Sequence, residues 1–188
     1  MQGLSITHSP GSTPEGRSHF EVLFRPILND LERYYWLGEG PSTPLIDLWH
    51  ENGRIFESLT VELPTERGGQ SIAHQLFRPG TLPGFASFLR DDWLTLIGLS
   101  GSRDQVLAAT RAFLDWSFSA FGLAEVPEGT TFYELILSSS PLCFFCDEGR
   151  RWEVYARDAR LLSRMRRHLR SLGGVEVVER KLMDRALG

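Results

Sequence analysis

A short apolar run followed at once by a helix start constrains this chain more than any other feature. Residues 93–99 (WLTLIGL) are apolar on both faces of an extended strand and have turn-forming residues on either side. Such a run is typical of a central strand that is covered on both faces. Ser102 and Gln105 then form a capping-box pattern, and apolar residues continue at helical spacing to Gly122. The sequence therefore predicts a buried strand that leads into a long helix packed on a sheet.

The patterns in the rest of the chain predict an α+β protein with an antiparallel or mixed sheet and helices packed on it. Residues 1–19 are rich in Ser, Thr, Gly and Pro, and we predict that they form a flexible tail. We predict one compact domain for residues 20–188, with halves at 20–92 and 93–188. Within the second half, up to residue 180, the order strand, helix, hairpin, helix, strand matches the ferredoxin-like βαββαβ order. The first half is predicted to extend or duplicate that sheet.

Local signals between residues 20 and 92 alternate between helix and strand patterns. The predicted elements are a strand at 20–25, a helix from Pro26 to Gly38, a short helix from Thr43 to Asn52, and a hairpin with arms at 54–63 and 72–77. A short helical turn at 85–89 is predicted to lead into the strand at 93–99.

Residues 131–139 fit two structures. The spacing of Thr131 and Glu134 is a capping-box form that favours a short helix, whereas the apolar residues that follow also suit a strand. Helix is the prediction that we adopt. Further along, a hairpin is predicted over 142–157, and Asp158 is predicted to cap a helix with one apolar side.

Charge is unevenly distributed along the chain. Residues 150–188 carry eleven basic and five acidic side chains, which leaves residues 1–149 with a formal charge near −10. The acidic portion suits a basic partner, because complementary charge speeds encounter. Nineteen of the 20 basic residues are arginine, a bias that indicates a GC-rich bacterial genome.

Cysteine content and hydropathy predict a cytoplasmic protein. The chain has two cysteines, too few for a disulfide framework, which agrees with a reducing compartment. No run approaches the roughly 20 apolar residues of a membrane span, and the first residues lack the pattern of a signal peptide. We therefore expect no contact with a membrane.

Two short motifs have both a functional and a structural interpretation. Cys143 and Cys146 have a metal or redox spacing, but residues three apart in a strand point to opposite faces, so we predict two buried thiols and no metal. The loop from Gly98 to Ser102 joins a strand to a helix start, where backbone N–H groups could hold a phosphate. It lacks the lysine of a phosphate-binding loop, and we predict an ordinary capped turn and no cofactor.

An arginine-rich helix is the second candidate surface. Arg160, Arg164, Arg167 and Arg170 lie on the helix capped by Asp158, and together they could neutralise several phosphates. The adjacent strands carry no aromatic pattern for RNA, and the chain as a whole is acidic. We therefore favour a solvated or internally paired face, and nucleic-acid binding is the alternative function.

No catalytic motif is present, and no residue is assigned a catalytic role. The leading hypothesis is a non-enzymatic protein-binding module of a bacterial cytoplasm, for example an immunity-type protein that neutralises a toxin or another basic partner. The proposed contact residues are acidic or aromatic, types that suit such an interface. They are Asp47, Glu51, Glu57, Tyr35 and Trp36. An enzyme with a dispersed site is the third hypothesis, and the oligomeric state is left open.

Overall fold

The computed structural model describes residues 1–9, 18–39, 56–62, 71–86, 89, 94–119, 126–147 and 151–183. The strands in these ranges are β1 (Gln2–His8), β2 (Tyr35–Glu39), β3 (Phe56–Glu62), β4 (Ser71–Phe77), β5 (Leu94–Leu99), β6 (Leu142–Asp147), β7 (Arg151–Ala156) and β8 (Val175–Lys181). The helices are α1 (His19–Phe24), α2 (Leu28–Leu31), α3 (Leu82–Phe85), α4 (Arg103–Ser119), α5 (Phe132–Ser139) and α6 (Ala159–Leu169), with a 3₁₀ turn at Arg25–Ile27.

These eight strands form one antiparallel sheet in the order β3-β4-β2-β5-β6-β7-β1-β8. Helices pack on both of its faces. On the first face α1, α2, α3 and α6 surround a core that includes Phe24, Phe144 and Trp152. On the second face α4 and α5 contribute Val106 and Ile136 to a separate core. The predicted α+β class is therefore confirmed, with an antiparallel sheet.

The central position predicted for the strand at 93–99 is confirmed by β5. Leu94 and Leu96 belong to the core of the first face, whereas Ile97 and Leu99 belong to the core of the second. β5 lies between β2 and β6, in the interior of the sheet. Its apolar residues therefore lack helical or alternating spacing because both faces are buried.

Gly98 lets an aromatic ring pack directly on β5. A Cβ atom at this position would lie 2.9 Å from the Leu142 carbonyl oxygen and 3.1 Å from the Trp36 ring. Side-chain contacts as close as 2.9 Å are essentially never seen, so a larger residue would displace β6 or Trp36. The glycine thus serves packing within the sheet.

Helix starts follow the predicted caps. The Ser102 N–H donates to Gln105 Oε1 at 2.8 Å, and the Gln105 N–H donates to Ser102 Oγ at 3.4 Å. Thr131 and Glu134 form the same reciprocal pair at 2.7 and 3.2 Å. Residues 131–139 are therefore a capped helix rather than a strand. Both predicted hairpins are also confirmed, as β3 with β4 and β6 with β7.

The prediction of a flexible tail over residues 1–19 is wrong for its first part. β1 lies inside the sheet between β7 and β8, and Leu4 and Ile6 are buried in the core of the first face. Two apolar residues at alternate positions suffice because β7 and β8 satisfy the backbone on either side. Residues 10–17 lie outside the described ranges.

Two elements in residues 20–39 are also corrected. The predicted strand at 20–25 is helix α1. It is capped by Ser18, whose Oγ accepts from the Glu21 N–H at 3.1 Å, and this cap was not predicted. The predicted helix from Pro26 ends early, since residues 35–39 form strand β2 between β4 and β5. Tertiary pairing thus overrides a helical pattern there. The short helix predicted from Thr43 to Asn52 lies outside the described residues.

Along the chain, residues 94–181 run in the predicted order of strand, helix, hairpin, helix and strand, with α5 as an additional helix. Their arrangement in space is not that of a split βαβ unit. β5 pairs directly with β6, and β8 pairs with β1 instead of β5. The ferredoxin-like order is therefore not confirmed, whereas β2, β3 and β4 do extend the same sheet.

Candidate functional site

The predicted protein contact surface is corrected at Trp36. This side chain is 0% exposed, its indole Nε1–H donates to the Leu31 carbonyl oxygen at 3.0 Å, and its ring packs against Phe144. A residue in this position supports the core and cannot contact a partner. Tyr35 is half-buried and packs against the core of the second face.

The acidic residues of the predicted contact surface are Asp47, Glu51 and Glu57. Glu57 is in β3 opposite Leu76 in the register, and its side chain lies outside the described part of the structure. Asp47 and Glu51 also lie outside the described residues. The acidic contact surface therefore remains a prediction.

The arginine-rich helix α6 is partly used by the fold itself. Its apolar side is buried, whereas Arg160, Arg164, Arg167 and Arg170 are exposed. Arg164 forms an ion pair with Asp30 in α2. The predicted alternative of internal pairing therefore holds for one of these four arginines, and the other three form no ion pair within the described ranges.

The other two motifs have structural roles. Cys143 is buried in the core of the second face and Cys146 in that of the first, so the two thiols cannot bind one metal ion. Within the residues that the structure describes, no group of three or more His, Cys, Asp or Glu side chains is placed to hold a metal. At the start of α4, the side chains of Ser102 and Gln105 each accept a hydrogen bond from the backbone N–H of the other residue. This is the arrangement of an ordinary capped turn, in which these two N–H groups are not available to a phosphate.

A buried polar cluster on the second face was not predicted. Glu153 is 1% exposed; Arg151 forms an ion pair with one of its carboxylate oxygens, and the Tyr155 hydroxyl donates to the other at 2.8 Å. Arg151 Nε also donates to Ser5 Oγ in β1 at 3.1 Å. The alternation of Arg151, Glu153 and Tyr155 along a predicted strand places all three on one face, and that signal could have revealed the cluster. The cluster joins β7 to β1.

Two histidines form a stacked pair between β1 and α1. The ring centroids of His8 and His19 are 3.8 Å apart, with 28° between the ring planes. Burial lowers the pKa of His8, against a weaker opposing effect of the hydrogen bond with the Ser9 backbone. Burial also lowers the pKa of His19, and repulsion from His8 lowers it further. Both rings are therefore neutral in the folded protein at pH 7.

Acid should destabilise the protein through this histidine pair. The unfolded chain takes up protons near pH 6.5 while the folded pair resists them, so stability present above that pH is lost as pH falls toward the lowered pKa values. We expect the melting temperature to fall between pH 7 and pH 5, and to fall less in His19→Phe, which keeps a stacked ring. An equal loss in both proteins would contradict this assignment.

β8 forms one edge of the sheet and has main-chain groups available for pairing. The Leu182 N–H donates to the Met1 carbonyl oxygen and the Ser9 N–H to the Gly174 carbonyl oxygen, both at 3.0 Å. Because bonded and non-bonded pairs alternate along an antiparallel ladder, the even-numbered residues of β8 bond β1. The residues of β8 whose N–H and C=O groups point away from β1 include Val175, Val177 and Glu179.

Side chains along this edge are largely exposed. Val178 is 42% exposed and Met183, just beyond the strand, is 52% exposed; they are the exposed large apolar side chains of the described ranges. Glu176 and Arg180 flank Val178 on the second face and are also exposed. A cavity of about 280 Å³ lies beside the end of β8, between β1 and α6. Main-chain groups, apolar side chains and a cavity therefore meet at one edge.

Comparison with known proteins identifies no relative of this chain. No family model, curated protein or solved structure gives a significant match to the chain. Among the helices of the described ranges, none has the length and apolar character needed to cross a membrane. The fold and the site thus define an α+β protein with one antiparallel sheet and an exposed edge strand.

Proposed function

We propose that this chain is a non-enzymatic protein-binding module of a bacterial cytoplasm, and that a partner polypeptide pairs with the outer edge of β8. The observation that carries the proposal is the outer edge of β8, which no other strand of the described ranges pairs with and where the outward N–H and C=O groups of Val175, Val177 and Glu179 lie beside an exposed Val178. Addition of a strand to such an edge is a recurring mode of peptide recognition, in which main-chain hydrogen bonds supply affinity.

Specificity would come from side chains at the same edge. The cavity next to β8 is lined by Leu4, Leu162, Arg166 and Lys181, among others, and could receive a side chain of the added strand. An immunity-type protein that neutralises a toxin remains one form of this proposal. The acidic charge of residues 1–149 would speed its encounter with a basic partner.

Nucleic-acid binding is the second candidate, supported by the exposed arginines of α6. Arg160, Arg167 and Arg170 lie within a helix of eleven residues or directly after it. Their guanidinium groups could neutralise adjacent phosphates. The pairing of Arg164 with Asp30 weakens this candidate, because it removes one of the four cations from the surface.

Glu179→Pro should abolish docking while leaving the fold intact. Glu179 is exposed and its N–H points outward, so proline removes a donor to the partner without breaking a bond to β1. Glu179→Ala is the matched control, because it loses the same ion pair with Arg166 but keeps the N–H. We expect affinity-tagged wild type and Glu179→Ala to retain the same polypeptide from source-cell extracts, and Glu179→Pro to retain at least about tenfold less.

Equal recovery of that polypeptide by the proline and alanine variants would contradict docking at β8. Recovery of nucleic acid instead, lost when Arg164 and Arg167 are both changed to glutamate, would favour the second candidate. Circular dichroism of each variant checks that the sheet is preserved.

A further inference from the structure

We infer that the polypeptide that pairs with β8 is a second copy of this chain, joined through an antiparallel β8–β8 contact about a twofold axis at Val178. This inference rests on the proposed docking function of the β8 edge and names its partner. It is carried by the positions of Glu176 and Arg180, which lie two residues on either side of the exposed Val178 and therefore face each other when the strand is reversed.

The direction of the main-chain groups restricts the possible registers. Odd-numbered residues of β8 point their N–H and C=O groups outward, so a symmetric antiparallel contact must place odd residues opposite odd residues. With the axis at Val178, Val177 lies opposite Glu179 of the second copy, and these two exchange main-chain bonds. Val178 then faces its own symmetry mate in a non-hydrogen-bonded pair, the type in which side chains approach most closely.

Charge selects this register among its neighbours. With the axis at Val178, Glu176 lies opposite Arg180 of the second copy, and the symmetric pair repeats the contact on the other side. An axis at Glu176, Glu179 or Arg180 would place like charges directly opposite each other, which is destabilising. An axis at Val177 would place Glu176 and Glu179 opposite valines, without any pair of opposite charges. Glu176 and Arg180 are exposed and form no ion pair within the described part of the chain. The chosen register therefore pairs two charges and covers the exposed valine.

The helices leave room for the second copy. α6 contacts β1, β7 and β8 on the first face. The two β1 strands would be three strand spacings apart, about 14 Å. Packed helices need roughly 8–10 Å between their axes, so the two copies of α6 do not collide. On the second face the side chains of Glu176, Val178 and Arg180 are exposed, and nothing in the described ranges blocks the axis.

Charge reversal and charge swap test the pairing. Sedimentation velocity over about 1 µM to 1 mM protein should show a monomer–dimer equilibrium for the wild type. Glu176→Arg and Arg180→Glu should each weaken the dimer about tenfold or more, because each variant turns two attractive pairs into repulsive ones. The double variant Glu176→Arg with Arg180→Glu restores opposite charges and should recover the wild-type dissociation constant within about threefold.

A cysteine at the axis gives an independent measurement. In a non-hydrogen-bonded pair the Cα atoms are about 4.5 Å apart, within the range of a disulfide. Val178→Cys should therefore form a covalent dimer under mild oxidation. Thr7→Cys is the control, since Thr7 is exposed on the same face but lies in β1, opposite Glu176 of its own chain.

The outcomes separate this inference from the proposed function. The β8–β8 contact is wrong if the wild type is monomeric throughout the concentration range. It is also wrong if the dissociation constant of the dimer is the same in the wild type and in all three charge variants. Dimers weakened by both single reversals but not restored by the swap overturn the register. The chain could be monomeric while the tagged wild type retains a different polypeptide that Glu179→Pro does not retain. In that case docking at β8 is supported and only the identity of the partner is wrong.

Discussion

Phe113→Asp is expected to lower the free energy of unfolding by about 4 kcal/mol or more, a large fraction of the roughly 5–15 kcal/mol that stabilises a typical native protein. Phe113 is buried in the core of the second face, where its ring contacts Phe132 at 5.8 Å between centroids. Aspartate leaves a cavity and an uncompensated carboxylate among apolar side chains. Both effects act on α4, the helix that covers the central strand.

The control for this prediction is Ala108→Asp, five residues earlier on the exposed side of α4. It adds the same carboxylate at an exposed position, where reduced helix propensity and weak interactions with neighbouring charges such as Asp104 should together cost less than about 1 kcal/mol. Urea unfolding of both variants, followed by fluorescence and circular dichroism, provides the measurement. Because all the described strands share one sheet, we expect one transition. Two transitions, one of them unaffected by Phe113→Asp, would mean that residues 20–92 and 93–188 fold independently.

Arg151→Leu has the second-largest expected effect, a loss of about 3 kcal/mol. The substitution removes the guanidinium group that forms an ion pair with Glu153 and a hydrogen bond with Ser5. Glu153 then keeps a buried charge without its arginine, and Tyr155 is left as a neutral donor to it. Removing the ion-pair partner of a buried charge is strongly destabilising, whereas a neutral polar group at the same place costs much less.

Adding Glu153→Gln to Arg151→Leu isolates this cause. The glutamine amide is neutral, and its oxygen can still accept from the Tyr155 hydroxyl. We expect the double variant to regain more than half of the stability that Arg151→Leu loses in thermal unfolding at pH 7. If the double variant is less stable than the single one, the cost of Arg151→Leu arises from lost packing and not from the buried carboxylate.

Residue patterns predicted the arginine surface of α6 correctly but not the surroundings of Trp36. The arginine side of α6 was predictable, because helical spacing separates it from the apolar side within a single element. The burial of Trp36 was not, because an aromatic residue suits a core and an interface equally well. Its role follows from Gly98, which lies 62 positions further along the chain and leaves space for the ring.

The β8 edge likewise escaped the sequence patterns. The residues 175–179 were predicted as a strand, but an edge strand differs from an interior one only in what lies beside it. The neighbour of β8 is β1, from the segment predicted as a tail. Without that pairing, neither the outward direction of alternate main-chain groups nor the exposure of Val178 could be assigned.

Taken alone, the sequence determined the elements whose signals lie within a few neighbouring residues. The caps at Ser102, Thr131 and Asp158, both hairpins and the two-sided burial of β5 depend on local bonds and periodicity. The tertiary structure decided the place of β1, the order of the strands and the Glu153 cluster. The reason is physical: the bond from Arg151 to Ser5 spans 146 positions, and a single strand such as β1 is stable only when it pairs with the strands on either side of it.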